Sequence, residues 1–137
     1  MKTKWLWGAA LALAFGLATP SFVGAQQAKP TAKNVMTDVL KGGTYEDMMM
    51  QVVDIPPGGV VPWHIHPDGH EISYIMSGEI ALEVEGSDKK ILKAGDGFHI
   101  QANTPHAAKN ESSAPAQVLV VRLKPHDKPV AVPVKHQ

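Results

Sequence analysis

The chain contains no cysteine among its 137 residues. That excludes disulfides, thiolate nucleophiles, thiolate metal sites and a lipidated N-terminal cysteine. A domain this small must then be held by its core, by a bound metal or by a subunit interface. A charge of one sign is also missing, since 13 basic residues stand against 13 acidic ones. With no basic run and no amphipathic basic helix, nucleic acid and anionic membrane are poor partners. Long apolar runs are absent too: residues 5–18 fall short of the ~20 needed to cross a bilayer. No extended helical periodicity appears. The pairs Gly42-Gly43 and Gly58-Gly59 lack the Lys-Ser/Thr or third glycine of a phosphate loop. Ser73 has no placeable base-orienting carboxylate that would make it a triad nucleophile.

What is present begins with a targeting pattern. Lys2 and Lys4 precede the apolar stretch 5–18, Thr19-Pro20-Ser21 breaks it, and Val23-Gly24-Ala25 supplies small residues. This predicts a signal peptide over residues 1–25, cleaved after Ala25, and a periplasmic or secreted location with no membrane association afterwards. Losing Lys2 and Lys4 leaves the remainder slightly acidic. Residues 26–40 read as a polar linker and a possible first strand at 35–40, residues 41–123 as the domain proper, and residues 124–137 as a Pro/Val-rich tail.

Within the domain, short apolar stretches alternate with turn signals. Strands are predicted at 45–55, 61–66, 71–76, 79–85, 89–93, 97–101, 105–110 and 117–123. Pro67-Asp68-Gly69, Ser77-Gly78 and Glu85-Gly86-Ser87-Asp88 turn between them. Residues 79–85 set Glu79, Glu83 and Glu85 against Ile80, Leu82 and Val84, so one face is wet and the other buried. Turn signals roughly every 8–12 residues predict an all-β sandwich or barrel. Val130, Val132 and Val134 alternate in the tail, which reads as an extended strap along that barrel.

All seven histidines follow residue 63, and three fall between His64 and His70. His64 and His66 are two apart, so on a strand both point to one face while Trp63 and Ile65 take the other. His70 and Glu71 follow the turn, and on a regular strand only one of them can point inward. His106 waits further on. Imidazoles with one carboxylate suit a divalent transition ion. His99, between Phe98 and Ile100, reads as a surface residue, and His126 and His136 as solvated. Met48, Met50, Tyr74 and Phe98 are apolar lining candidates, with core packing the simpler role for each.

Gly58, His64, His66, Glu71 and Gly78 match the first motif of the cupin family at every fixed position. Gly95, His106 and Asn110 match its second motif at the same spacing. Gln101 stands there where proline is usual, and Asn103 where glycine is usual. Asparagine tolerates a left-handed backbone, so the turn is expected to persist. The resemblance covers about residues 45–123 and also suggests a small exported single-domain cupin of the quercetin-dioxygenase-like kind.

The resemblance implies a jelly-roll β-barrel with His64, His66, Glu71 and His106 holding one divalent ion: Fe, Mn, Ni, Cu or Zn. It prefers Glu71 over His70 as ligand. Glu71 could also leave the metal and act as a base. His70 is then a rim residue or proton shuttle, or a solvated turn histidine. Asn110 would bond backbone near the site. The function expected is a metalloenzyme of dioxygenase, isomerase or decarboxylase type acting on a small oxygenated molecule. The alternatives are a non-catalytic binding protein and a metal that staples the fold. A homodimer is expected, with the strand 117–123 and the tail as candidate contacts.

Overall fold

The computed structural model describes residues 28–39 and 43–135. The signal peptide expected at 1–25 and His136 lie outside them. Among the described residues there are ten strands and no helix: β1 (Thr31–Val39), β2 (Asp47–Ile55), β3 (Val60–Ile65), β4 (His70–Ser77), β5 (Glu79–Val84), β6 (Lys90–Lys93), β7 (Gly97–Ile100), β8 (His106–Lys109), β9 (Ala116–Lys124) and β10 (Val132–Pro133). They form two five-stranded sheets, ordered β1-β2-β9-β4-β7 and β10-β3-β8-β5-β6. Every pairing within them is antiparallel. This is the expected all-β jelly-roll architecture.

The strands follow from alternation. In β9 the residues Ala116, Val118 and Val120 are buried while their neighbours are partly or fully exposed. Ile55, Ile75 and Ile80 meet them in the core between the sheets. The outer face of the first sheet is also apolar. Met50, Val121 and Ile72 form one cross-strand row, and Val52, Leu119 and Tyr74 the next.

Turns need the backbones their sequences permit. Gly78 has φ +72°, and an added Cβ there would lie 2.5 Å from the Pro115 carbonyl. Asn103, at φ 60°, takes the left-handed conformation expected of it. It also does more than a glycine could. Its Oδ1 accepts from the Asp68 amide at 3.1 Å and its Nδ2 donates to Asp68 Oδ1 at 3.0 Å, so it clasps the turn after His66 to the turn before His106.

One segment differs from the sequence reading. The first strand starts at Thr31, inside the stretch read as linker, because its backbone pairs along β2 although Thr31, Ala32, Lys33 and Asn34 are exposed. The tail does return as a strap: Val132 and Pro133 pair with Ile65 and His64.

Candidate metal centre

His64 and His106 come from neighbouring strands of one sheet and are direct partners across β3 and β8. Register shifts between Val61 and His64, an irregularity of the kind that re-aims side chains beside functional sites. His66 follows β3 directly. Glu71 comes from β4 in the opposite sheet. The four donors therefore bridge the two sheets, and their ligating atoms all lie within 4.8 Å of one another. All four side chains are buried.

The backbone sets the imidazoles in advance. Nδ1 of His64 bonds the Pro62 carbonyl at 2.8 Å, Nδ1 of His106 bonds the Thr104 carbonyl at 2.9 Å, and Nδ1 of His66 bonds the Val130 carbonyl. A carbonyl only accepts, so each Nδ1 carries the proton and each Nε2 is left with its lone pair. Holding the far nitrogen in this way orients an imidazole for a metal.

Two further observations test the fit to an ion. His106 Nε2 is buried with no hydrogen-bond partner, a costly state that a cation would relieve. His66 Nε2 lies 3.0 Å from Glu71 Oε2. With Nδ1 committed to Val130, that nitrogen needs a second proton or a cation to face a carboxylate oxygen. Three imidazoles and one carboxylate suit a divalent transition ion and leave further positions open.

Charge is arranged to match. Burial pushes the His106 imidazole down to about 4, against the opposing Thr104 hydrogen bond. Burial lowers His64 as well. Both are neutral at pH 7 and free to donate. Burial works against ionisation of Glu71, but the His66 contact and the Arg122 charge outweigh it and hold the carboxyl at about 2. Ser73 Oγ donates to the other carboxylate oxygen at 2.9 Å.

Arg122 is the site residue that sequence reasoning missed. Its Nη2 lies 3.0 Å from Glu71 Oε2, and its Nη1 donates to Gln51 Oε1. The signal was available: Arg122 shares the buried parity of Ala116, Val118 and Val120, where a charge is out of place.

His64, Glu71, His106 and Arg122 line a cavity of about 230 Å³ between the sheets, walled by residues such as Val53, Val61, Leu82, Phe98 and Val120 and bordered by Pro30, Thr31 and Ala32. Of the lining candidates from sequence, Phe98 is there. Tyr74 is on the outer face and 49% exposed. His70 also faces outward. Its Nδ1 is 2.8 Å from His99 Nε2, its ring packs edge-on against Tyr45, and it does not line the cavity. Asn110 is fully buried and bonds backbone, donating to the carbonyls of Ile55 and Ala114.

A two-sheet β-barrel with a buried His/Glu cluster at one cavity, a group that could hold a metal ion, defines the class of protein. Within that class the chain belongs to the cupin family, whose cupin domain matches residues 51–122. It is 33% identical over 78 residues to oxalate oxidase GF-2.8 of Triticum aestivum, covering 52% of this chain and 35% of that one. A solved oxalate oxidase structure superposes with a TM-score of 0.55 at 31% identity, over 64% of this chain and 46% of that one. A conserved protein with a double-stranded β-helix domain from Klebsiella pneumoniae gives a TM-score of 0.63 at 21% identity, over 81% and 89% of the two chains, a likeness of fold. The chain spans less than half the length of the curated relatives it matches.

Proposed function

We propose that this protein is an exported metalloenzyme that uses one divalent ion at His64, His66, Glu71 and His106 to transform a small oxygenated molecule by oxidation, isomerisation or decarboxylation. The observation that carries this reading is the set of three imidazoles with Nδ1 tied to backbone carbonyls, so that their Nε2 atoms are committed beside an ionised carboxylate. The likeness to oxalate oxidases supports a small, oxygen-rich substrate. A divalent ion supplies a Lewis acid with open positions. The chain does the rest. The apolar walls exclude water, Ser73 and Arg122 orient Glu71, and Glu71 stays ionised at neutral pH as a proton acceptor. The targeting pattern of residues 1–25 supports a periplasmic or secreted location.

Elemental analysis tests this first. One equivalent of metal in the wild type, lost in His64→Ala and His106→Ala, is expected, and absence of metal from the wild type would overturn the reading. Oxygen uptake or product formation then separates an enzyme from a binding protein, which would show only a ligand-induced rise in Tm.

A homodimer is part of the same proposal. The rows Met50–Val121–Ile72 and Val52–Leu119–Tyr74 carry no charge, and Ile72, Tyr74 and Met76 are each nearly half exposed. An uncharged apolar sheet face offers nothing to a charged partner and can meet its own copy across a twofold axis. β9 is a central strand, so it contributes this face rather than an edge. A wild-type dimer that becomes monomeric in the double variant Ile72→Asp/Tyr74→Asp is expected by light scattering. A wild-type monomer, or an unchanged dimer in the variant, would discard this interface.

A further inference from the structure

We propose that His70 and His99 form a second divalent-metal site, on the outer face of the first sheet and apart from the cavity. It stands whether or not the buried centre is catalytic.

His70 opens β4, and His99 lies on β7, the neighbouring edge strand. Nδ1 of His70 and Nε2 of His99 face each other at 2.8 Å. Between two neutral imidazoles one proton fills that gap, and the nitrogen that accepts it offers its lone pair. Two nitrogens bound at ~2.0–2.1 Å on adjacent positions of a six-coordinate ion stand roughly 2.9 Å apart. A cation can therefore take the proton's place when the rings tilt so that both nitrogens turn to a common point, with little change in their separation. His99 is exposed and has room to tilt. The ring centroids are 5.0 Å apart, within the 4.2–5.1 Å spread of the three buried imidazoles.

The surroundings leave the pair available. Among the described residues neither imidazole bonds a carboxylate, carbonyl or hydroxyl, so the chain does not spend their lone pairs elsewhere. No like charge stands opposite, because the register sets Leu123 beside His70 and Ile72 beside His99. The Tyr45 ring packs edge-on against His70 at 5.3 Å and steadies it. β4 is hydrogen-bonded on both sides, to β7 and β9, so the backbone that carries His70 is fixed.

Imidazole ligands suit copper, nickel and zinc, and Cu(II) is bound most tightly of the three. With two ligands from the chain, the remaining positions face solvent, so the ion is exchangeable. His70 and Glu71 are consecutive and point to opposite faces of β4. The outer ion and the buried donor set thus lie on either side of one strand and share no ligand.

The test adds Cu(II) to the full-length protein and counts bound copper by equilibrium dialysis against a chelator buffer. His70→Ala and His99→Ala should each hold one equivalent less than the wild type. His64→Ala/His106→Ala should keep that outer equivalent, with an electron paramagnetic resonance signal of nitrogen ligation that disappears when His99→Ala is added. His126→Ala, which removes another exposed imidazole, should match the wild type. Copper uptake unchanged in both His70→Ala and His99→Ala overturns the outer site and leaves the buried one standing. An outer equivalent lost equally in His126→Ala overturns it too, as scattered surface binding. Uptake unchanged in His64→Ala/His106→Ala but reduced in His99→Ala supports the outer site and overturns the buried one. Should His70→Ala fail to fold beside Glu71, His99→Ala on the exposed edge strand decides.

Discussion

The Nδ1 of His66 donates to the carbonyl of Val130, 64 residues further along the chain. The C-terminal strap is thereby part of the donor set's support, and β10 pairs with His64 and Ile65 on the same strand. A chain ending at Lys128 should remain folded, because β10 is only a two-residue edge strand. Its metal affinity should fall roughly 10–100-fold, the usual cost of losing an imidazole's outer partner. A competitive chelator titration measures this, and an unchanged affinity would remove the strap from the site.

Asn110 is the hub of the bend that follows β8. It donates to the Ile55 and Ala114 carbonyls and accepts from the amide and hydroxyl of Ser112. Asn110→Ala strips the Ile55 carbonyl and the Ser112 amide of this side-chain partner at a fully buried position, while Ser112 Oγ keeps its bonds to Ala114. The expected destabilisation is about 2–4 kcal/mol. Urea unfolding of the metal-loaded protein reads it, and a loss below 1 kcal/mol, on the order of one ordinary hydrogen bond, would refute the assignment.

Two glycines with the same kind of backbone should respond differently. Gly78 and Gly86 have φ of +72° and +77°, but a Cβ at Gly78 strikes the Pro115 carbonyl at 2.5 Å while at Gly86 it meets nothing within 4 Å. Gly86→Ala should cost about 1–2 kcal/mol of backbone strain. Gly78→Ala should cost about 3 kcal/mol or more, because packing has no room to give. Thermal melts of the two variants side by side would expose the prediction as mistaken if their losses were equal.

Acid should destabilise the metal-free protein in two windows. The His106 imidazole is lowered in the fold to about 4 from an ordinary 6.5, so between those values the unfolded chain binds the extra proton and stability falls as pH falls. The Glu71 carboxyl is lowered to about 2 from 4.5, so its contribution is complete above 4.5 and lost as pH drops toward 2. Stability measured by denaturant from pH 7 to pH 3 should decline throughout. In His106→Gln the decline between 6.5 and 4 should be shallower, and an identical slope would contradict the assignment.

Much of this was legible in the sequence because it rests on local spacing. His64 and His66 share a face by strand periodicity, and the turn residues mark where strands end. β1 was legible only in part: Thr31 to Asn34 are exposed, so no alternation betrays them, and pairing with β2 is what makes them a strand. His70 could not be oriented by spacing alone. The registers of β4 with β7 and β9 put Glu71 inward and turn His70 toward His99.

The sequence by itself determined the cupin motifs and the strand rhythm and put forward His64, His66 and His106 as candidate donors, with Glu71 and His70 left as alternatives, since each motif is written in residues a few positions apart. Only the tertiary structure decided that Arg122 meets Glu71, that the Val130 carbonyl secures His66, and that Ile72 and Tyr74 join Leu119 and Val121 in one apolar face. Those contacts depend on which strands pair and in what register. A one-residue slip would turn each side chain to the opposite face, so they are fixed by packing of the whole barrel and not by any local segment.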